Sequence, residues 1–163
     1  MTYINTPLLN QLVTTFYNEI DFDGPRLAQF ISRTPILVDC SAQVKFYDGT
    51  VIVRLLSNSR YATIEILCRD PVRQLSSVTQ VCNSCFPPFS MIEDLYIQHH
   101  YSQLVWKGDA IKNTQWLELL LPFPAVKNLY LSKDFVPGVK GSLQKIIVAE
   151  VFPSLQNFFV GRY

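Results

Sequence analysis

One apolar spacing recurs along the chain and constrains the fold more than any other feature of the sequence. The stretches MIEDLYI, AVKNLYL and SLQNFFV each place apolar residues at positions i, i+3 and i+5. The three sets are Ile92, Leu95 and Ile97; Val126, Leu129 and Leu131; and Leu155, Phe158 and Val160. A weaker copy near the start consists of Leu9, Leu12 and Thr14. Positions i+3 and i+5 of a strand share one face, so each copy predicts a short strand whose apolar face must be covered.

Segments between the copies have the pattern of amphipathic helices. In NTQWLELLLPFP, Asn113 or Thr114 can cap a helix, and Pro122 and Pro124 follow its apolar residues. Those apolar residues recur at helical spacing and are Trp116, Leu119 and Leu120. RQLSSVTQVCNSC and GPRLAQFISRTP have a similar character and also run into prolines. The alternation of strands and helices predicts an α/β protein.

The length of the repeat predicts how these units assemble. Strand-plus-helix units at intervals of roughly thirty residues indicate a solenoid, in which stacked repeats bury the face that no single repeat can cover. The i, i+3, i+5 spacing is that of the strand in a leucine-rich repeat. The full repeat has Asn or Cys three residues after the last apolar position, where this chain has Tyr17, His100, Asp134 and Tyr163. We therefore predict a single irregular leucine-rich-repeat-like solenoid over residues 1–163, with a largely parallel sheet and helices on its convex side.

Residues 42–69 deviate from the repeat. Asp48-Gly49 stands between two alternating apolar runs, which is a hairpin signal. A further alternating run, YATIEILC, places Ile64, Ile66 and Cys68 on one face. We predict two or three strands here, which either continue the parallel sheet as degenerate repeats or form a short antiparallel insertion.

Composition and charge argue against several functional classes. Of the 163 residues, 48% are hydrophobic and 17% are charged, which favours a folded domain with a sizeable core. The net charge of +1 gives no indication of a nucleic-acid partner. No run of eighteen apolar residues indicates a membrane span, and the start MTYINTPLLNQ lacks the pattern of a secretory signal. We expect no nucleic-acid or membrane partner, and an intracellular location in the cytoplasm or nucleus.

The cysteines and histidines raise the question of a metal site. Cys82 and Cys85 form a C-x-x-C pair, and the adjacent His99 and His100 follow. A zinc site needs four converging ligands, whereas adjacent residues of a strand point to opposite faces. We therefore predict no metal ligand, and reduced thiols in the core, as is usual inside cells. The cysteines concerned are Cys40, Cys68, Cys82 and Cys85.

The sequence has no recognisable catalytic motif. It contains neither G-x-S-x-G nor the glycine-rich phosphate loops G-x-x-x-x-G-K-[ST] and G-x-G-x-x-G. A Ser/His/Asp set would need His99 or His100 as its base, and a structural histidine is the commoner role at a repeat turn. The acids Glu19, Asp21 and Asp23 have the pattern of a charged loop. We predict that the protein is not an enzyme and has no catalytic or cofactor-binding residue.

Most of the chain resembles a known family. NTQWLELLLPFPAVKNLYLSKDFVP followed by EVFPSLQNFFV, together with TPLLNQLVTTFYNEIDFDGPRLAQFISRT and RQLSSVTQVC, is similar to the repeat region of fungal F-box-like proteins, a large mushroom group. In that family an N-terminal F-box docks a Skp-type adaptor of a ubiquitin ligase, and the repeats are thought to present the substrate. No helical F-box is visible ahead of TPLLNQLV, so the resemblance implies the substrate-presenting part.

Strand parity then predicts a binding surface. Residues between the apolar positions point away from the core, and tyrosines there would form a row across neighbouring strands, although aromatic residues favour strands in any case. The predicted partner-binding residues are Asp94, Tyr96, Gln98, Asn128, Tyr130, Ser132, Asn157 and Phe159. We predict a protein–protein interaction module with an unknown protein partner. The alternative is a structural or regulatory repeat fragment that self-associates through exposed repeat ends, since SLQNFFVGRY lacks a polar cap.

Overall fold

A seven-stranded sheet forms the frame of the molecule in the computed structural model, which describes residues 11–17, 40–57, 60–85, 87–100, 113–139 and 148–161. The strands are β1 Gln11–Tyr17, β2 Ser41–Tyr47, β3 Thr50–Ser57, β4 Arg60–Leu67, β5 Asp94–His99, β6 Asn128–Ser132 and β7 Asn157–Gly161. The helical segments include α1 Pro71–Cys85, α2 Asn113–Leu120 and α3 Val148–Val151, and the 3₁₀ helices Pro87–Met91 and Lys133–Phe135. Across the sheet the strands lie in the order β1-β4-β3-β2-β5-β6-β7.

Strands β2, β3 and β4 form an antiparallel meander. Tyr47 pairs with Thr50, so Asp48 and Gly49 alone make the first turn. Gly49 has a φ of +81°, a conformation that costs a residue without a Cβ little. Along β2 and β3 every second residue is buried, as expected for strands with one face against a core. Of the two arrangements that the sequence left open for residues 42–69, the antiparallel one is therefore observed.

The other half of the sheet, which we call the parallel wing, consists of β5, β6 and β7. Leu95 lies opposite Leu129, and Leu129 lies opposite Phe158. Likewise Tyr96 lies opposite Tyr130. The strands therefore pair in the register in which the three apolar sets align in the sequence.

A common turn leads into each strand of the parallel wing. In each copy, the first apolar residue donates its backbone N–H to the carbonyl of a phenylalanine three residues earlier, at 3.2–3.3 Å. The pairs are Ile92 with Phe89, Val126 with Phe123, and Leu155 with Phe152. All three phenylalanine side chains are buried. The recurring unit thus begins at a buried phenylalanine, three positions before the first residue of the i, i+3, i+5 spacing.

The predicted solenoid is wrong. In a solenoid each repeat contacts only its neighbours along the chain, whereas β1 pairs with β4 and is separated from β2 by two other strands. The sheet is mixed, because β3 is antiparallel to both β2 and β4 while the remaining neighbours are parallel. A parallel pair needs a long crossover connection, and a two-residue turn at Asp48 and Gly49 permits only an antiparallel one. The chain therefore forms a mixed α/β sheet with a strand-and-turn repeat in one half.

Helices α1 and α2 cover one face of the sheet. Their core-facing residues are Leu75, Val78 and Val81 from α1 and Trp116, Leu119 and Leu120 from α2. The ring of Phe46 on β2 contacts Trp116 and Phe135 edge-on, with centroids 6.3 and 5.2 Å away. These contacts join the meander, α2 and the end of β6 in one hydrophobic core.

Local signals explain where the helices begin and end. The Asp70 carboxylate accepts the backbone N–H of Val72 at 2.9 Å, and Pro71 occupies the first position of α1. Helix α2 ends at Leu120, two residues before Pro122. The helices predicted in NTQWLELLLPFP and RQLSSVTQVCNSC are thereby confirmed. The one predicted in GPRLAQFISRTP lies outside the described residues, as do Leu9, Glu19, Asp21, Asp23 and Tyr163.

Candidate functional site

The face of the sheet opposite α1 and α2, which we call the open face, presents the side chains that alternate with the core. Across the parallel wing these side chains fall into two rows, because the three strands pair in matching register. We call the row Asp94, Asn128 and Asn157 the amide ladder. We call the row Tyr96, Tyr130 and Phe159 the aromatic row.

The amide ladder is a chain of side-chain hydrogen bonds. Asn128 Nδ2 donates to Asp94 Oδ1 at 2.7 Å, and Asn157 Nδ2 donates to Asn128 Oδ1 at 2.7 Å. An ionised carboxylate only accepts hydrogen bonds, so Asp94 makes each amide turn its NH₂ group toward β5 and its oxygen away from β5. The ladder therefore has a direction, and it ends at β7 on the acceptor oxygen of Asn157.

The aromatic row is a stack of three nearly parallel rings. The centroids of Tyr96 and Tyr130 are 4.2 Å apart with planes 5° apart, and those of Tyr130 and Phe159 are 4.7 Å apart with planes 11° apart. These separations are close to the strand spacing of about 4.8 Å. Both faces of the Tyr130 ring are therefore against neighbouring rings. The row presents ring edges to the outside, rather than a flat ring surface.

The predicted exposure of the aromatic row is only partly right. Phe159 is 40% exposed, but Tyr96 and Tyr130 are half-buried, because each lies under the ring of a neighbouring strand. Asn157 is exposed, and Asp94 and Asn128 are half-buried.

Two predicted site residues do not belong to the surface. Gln98 is 7% exposed and Ser132 is 3% exposed. Ser132 is the last residue of β6, and its hydroxyl accepts the backbone N–H of His99 at 3.0 Å. Gln98 lies one position beyond the last β5–β6 pair and is in register with Lys45 of β2. The predicted exposure of both residues is wrong: the Ser132 hydroxyl binds the backbone of β5 where the β5–β6 pairing has ended, and nothing in the strand spacing explains the burial of Gln98.

The core side of β7 also differs from the prediction. Leu95, Ile97, Leu129 and Leu131 are buried as expected. Phe158 and Val160 are each 48% exposed, although they were predicted to lie under a helix. The physical reason is that β7 is at the edge of the described sheet, where it has one neighbouring strand, β6. The edge of the parallel wing thus exposes apolar side chains on both faces, Phe159 on the open face and Phe158 and Val160 on the other.

A second group of open-face residues lies on the meander and was missed by the sequence analysis. Arg54 Nε donates to Thr63 Oγ1 at 3.0 Å, and the Arg54 guanidinium lies 5.7 Å from the centre of the Tyr61 ring. Burial, and then the positive charge of Arg54, lower the pKa of Lys45. The alternation within KFYDGTVIVR places Lys45 and Arg54 on one face, but their proximity follows from the hairpin register, which alternation alone does not give.

The two adjacent histidines lie on opposite faces, as predicted for a strand end. His99 Nδ1 is 3.2 Å from Asp134 Oδ2, and its ring contacts Phe135 of the core. The ring of His100 stacks on Tyr47 with centroids 5.1 Å apart. Burial, followed by the charges of Lys45 and His99, lowers the pKa of His100. Because the rings diverge, the two histidines do not form a joint ligand pair.

The cysteines are only partly where the sequence placed them. Cys82 is buried in the core, whereas Cys40 and Cys68 are half-buried, and all three are reduced. The side chain of Cys85 lies outside the described residues. Among the residues that the structure does describe, no group of three or more His, Cys, Asp and Glu side chains could hold a metal ion.

Comparison with known proteins returned no match. No family model, no curated protein and no solved structure is significantly similar to this chain. Within the described ranges, no helix is both long enough and apolar enough to cross a membrane.

Proposed function

We propose that the protein is a protein–protein interaction module that binds its partner on the open face of the parallel wing. The observation that supports this proposal is the joint presence of the aromatic row and the amide ladder in one register. Aromatic side chains supply much of the binding energy at protein interfaces, and amide and carboxylate groups beside them supply hydrogen bonds that select a partner.

The geometry favours binding because the side chains are already held in place. Each ring of the aromatic row is fixed by a stacked neighbour at 4.2 or 4.7 Å, and each amide of the ladder is fixed by a 2.7 Å hydrogen bond. Immobilising a free side chain at an interface costs about 0.5–1.5 kcal/mol, and a pre-organised surface avoids much of that cost.

The resemblance to fungal F-box-like proteins suggests the class of partner. By that resemblance, the partner is a protein presented to a ubiquitin ligase, in the cytoplasm or nucleus. The proposal of a protein-binding face does not depend on this assignment.

The alternative function is self-association of a structural or regulatory protein through an exposed strand edge. The exposure of Phe158 and Val160 on β7 favours it, since an apolar edge strand is a template for pairing with another chain. Light scattering at increasing protein concentration tests it, and a constant monomeric mass would exclude it.

The proposed function is tested with the double variant Tyr96→Ala and Tyr130→Ala. We expect it to lose the proteins that the wild type captures from a lysate of the source organism, as measured by quantitative mass spectrometry. Loss of ring stacking should lower the free energy of unfolding by about 0.5–1.5 kcal/mol per ring pair, so the variant must first be shown to be folded.

Tyr17→Ala is the matched control, because Tyr17 is an exposed tyrosine at the opposite edge of the sheet. It should capture the same proteins as the wild type. Identical captured proteins for the double variant and the wild type would show that the open face of the parallel wing is not the binding surface.

A further inference from the structure

We propose that the outer edge of β7 binds an extended segment of a partner protein, which adds to the sheet parallel to β7. The segment places a side-chain amide beside Asn157 and an aromatic ring beside Phe159, with apolar residues on the other face. This inference rests on the proposed function and specifies how the partner is held.

The first argument comes from the backbone of β7. Asn157 donates its backbone N–H to the Lys127 carbonyl at 2.9 Å, on the β6 side. Successive residues of a strand direct their peptide groups to opposite sides, so the N–H and C=O groups of Phe158 and Val160 face away from β6. Among the strands that the structure describes, β7 is the last in the sheet order, so those groups form an open hydrogen-bonding edge.

The second argument comes from the direction of the amide ladder. Asp94 orients both amides so that their oxygens face away from β5, and Asn128 Oδ1 already receives the amide of Asn157. The next group in the series must therefore donate a hydrogen bond to Asn157 Oδ1. A side-chain amide can donate there, whereas a carboxylate at that position can only accept.

The third argument comes from the rings and the apolar residues. Phe159 stacks one face on Tyr130 and is 40% exposed, so a further ring can extend the stack. Phe158 and Val160 are each 48% exposed on the opposite face. Apolar residues before and after the aromatic residue of the partner segment would lie beside them. The structure already contains a segment of this type, because Asn128-Leu129-Tyr130-Leu131 of β6 lies parallel to β7 along its inner edge.

The probe for this site is a synthetic, end-blocked peptide with the sequence of residues 126–133, VKNLYLSK. Titrated into isotopically labelled protein, it should give saturable shifts of backbone amide signals in β7 and not in β1. The same peptide with its asparagine changed to aspartate should bind about tenfold more weakly, because it loses the donor to Asn157. A peptide with the reversed sequence should also bind more weakly, since it would place the two rows in the opposite order.

The matched protein variants are Val160→Pro and Val160→Ile. Proline removes the outward N–H at a place where an edge strand tolerates it, so Val160→Pro should abolish peptide binding while the fold persists. Val160→Ile keeps both the N–H and the apolar character of the side chain, and should bind within about twofold of the wild type. Should Val160→Pro fail to fold, Phe159→Ala provides the second test and should bind at least about tenfold more weakly, because it removes the ring on which the peptide stacks.

Several outcomes would overturn the inference. These are the absence of saturable binding to the wild type, equal binding of the aspartate or reversed peptide, and undiminished binding by folded Val160→Pro and by Phe159→Ala. If the protein self-associates without any partner, and Val160→Pro abolishes that self-association, the edge would bind a second copy of this chain instead. Capture of lysate proteins could depend on Tyr96 and Tyr130 and yet be unchanged by Val160→Pro. That result would support the proposed function and contradict only the binding site at the edge of β7.

Discussion

The meander and the parallel wing are built from strands of similar length but differ in what fixes their register. In the meander, the short turn at Asp48 and Gly49 sets the pairing, and the open-face side chains are of different types. In the parallel wing, each strand enters through the same turn, and like residues fall beside like. Within the described part of the chain, the rows of stacked rings and linked amides therefore lie in the half of the sheet where a sequence unit repeats.

The two halves also differ in how their strands are enclosed. Each meander strand has a neighbour on both sides, including β1 beside β4 and β5 beside β2. In the described sheet the parallel wing ends at β7, where inward-facing and outward-facing residues are both exposed. A repeated unit can always accept one more copy, whereas a meander flanked on both sides cannot. This difference is why both proposals place binding on the parallel wing.

The largest predicted effect compares core-side residues of β6 and β7, and tests whether those of β7 are less buried. Leu129→Asp should unfold or aggregate the protein, because a lone buried charge costs several kcal/mol against a typical total stability of about 5–15 kcal/mol. Phe158 pairs with Leu129 across the two strands but is itself half-exposed. Phe158→Asp should therefore leave a folded protein. Thermal unfolding of both variants decides the comparison. Similar losses of stability would show that β7 is as buried as β6.

How much the sequence predicts differs between the two halves. In the parallel wing, the i, i+3, i+5 spacing predicted the strands and their relative register. It missed the turn residues Phe89, Phe123 and Phe152, although each stands three positions before an aligned apolar residue. The spacing does not predict the burial of Gln98 and Ser132; that of Ser132 follows from the end of β5–β6 pairing, where its hydroxyl accepts the His99 N–H.

In the meander, the Asp48-Gly49 signal predicted a hairpin but not which strands lie on either side of it. The pairing of β1 with β4 joins segments about fifty residues apart and depends on which edge of the meander is free. A periodicity found in one part of the chain was extended to the whole, and this produced the incorrect solenoid. Local spacing reports on local units, and strand order is a property of the whole sheet.

The second prediction concerns the turn on which the meander depends. Gly49→Ala should lower the free energy of unfolding by about 1–2 kcal/mol, because a side chain disfavours a positive φ. An added Cβ would meet Arg69 Cγ at 3.5 Å, an ordinary contact, so the cost comes from the backbone and not from a clash. Gly49→Asn is the control and should cost less, because asparagine tolerates this region. Urea unfolding measures both, and an unaffected Gly49→Ala would mean that the turn does not set the register.

The third prediction concerns the amide ladder. Asn128→Leu should cost about 1–2 kcal/mol, because it leaves Asp94 and Asn157 without a ladder partner. Asn157→Leu removes only the last bond, at an exposed position, and should cost less than half as much. Chemical denaturation of the two variants gives the comparison. Equal costs would mean that the ladder is not a connected chain of hydrogen bonds.

The smallest predicted effect is a pH dependence at the junction of the two halves, where His100, which follows β5, stacks on Tyr47 of the meander. Burial, then Lys45 and His99, lower the pKa of His100, so between pH about 6.5 and the folded-state pKa the unfolded chain binds more protons than the folded one. Stability should therefore fall as the pH drops below about 6.5. His100→Phe can keep the ring contact with Tyr47 and removes the titrating group, so its melting temperature should fall less over the same pH range. Lys45→Met should give an intermediate response, since it removes one charge and leaves the burial that is the main cause. Identical pH profiles of wild type and His100→Phe would place the acid sensitivity elsewhere in the molecule.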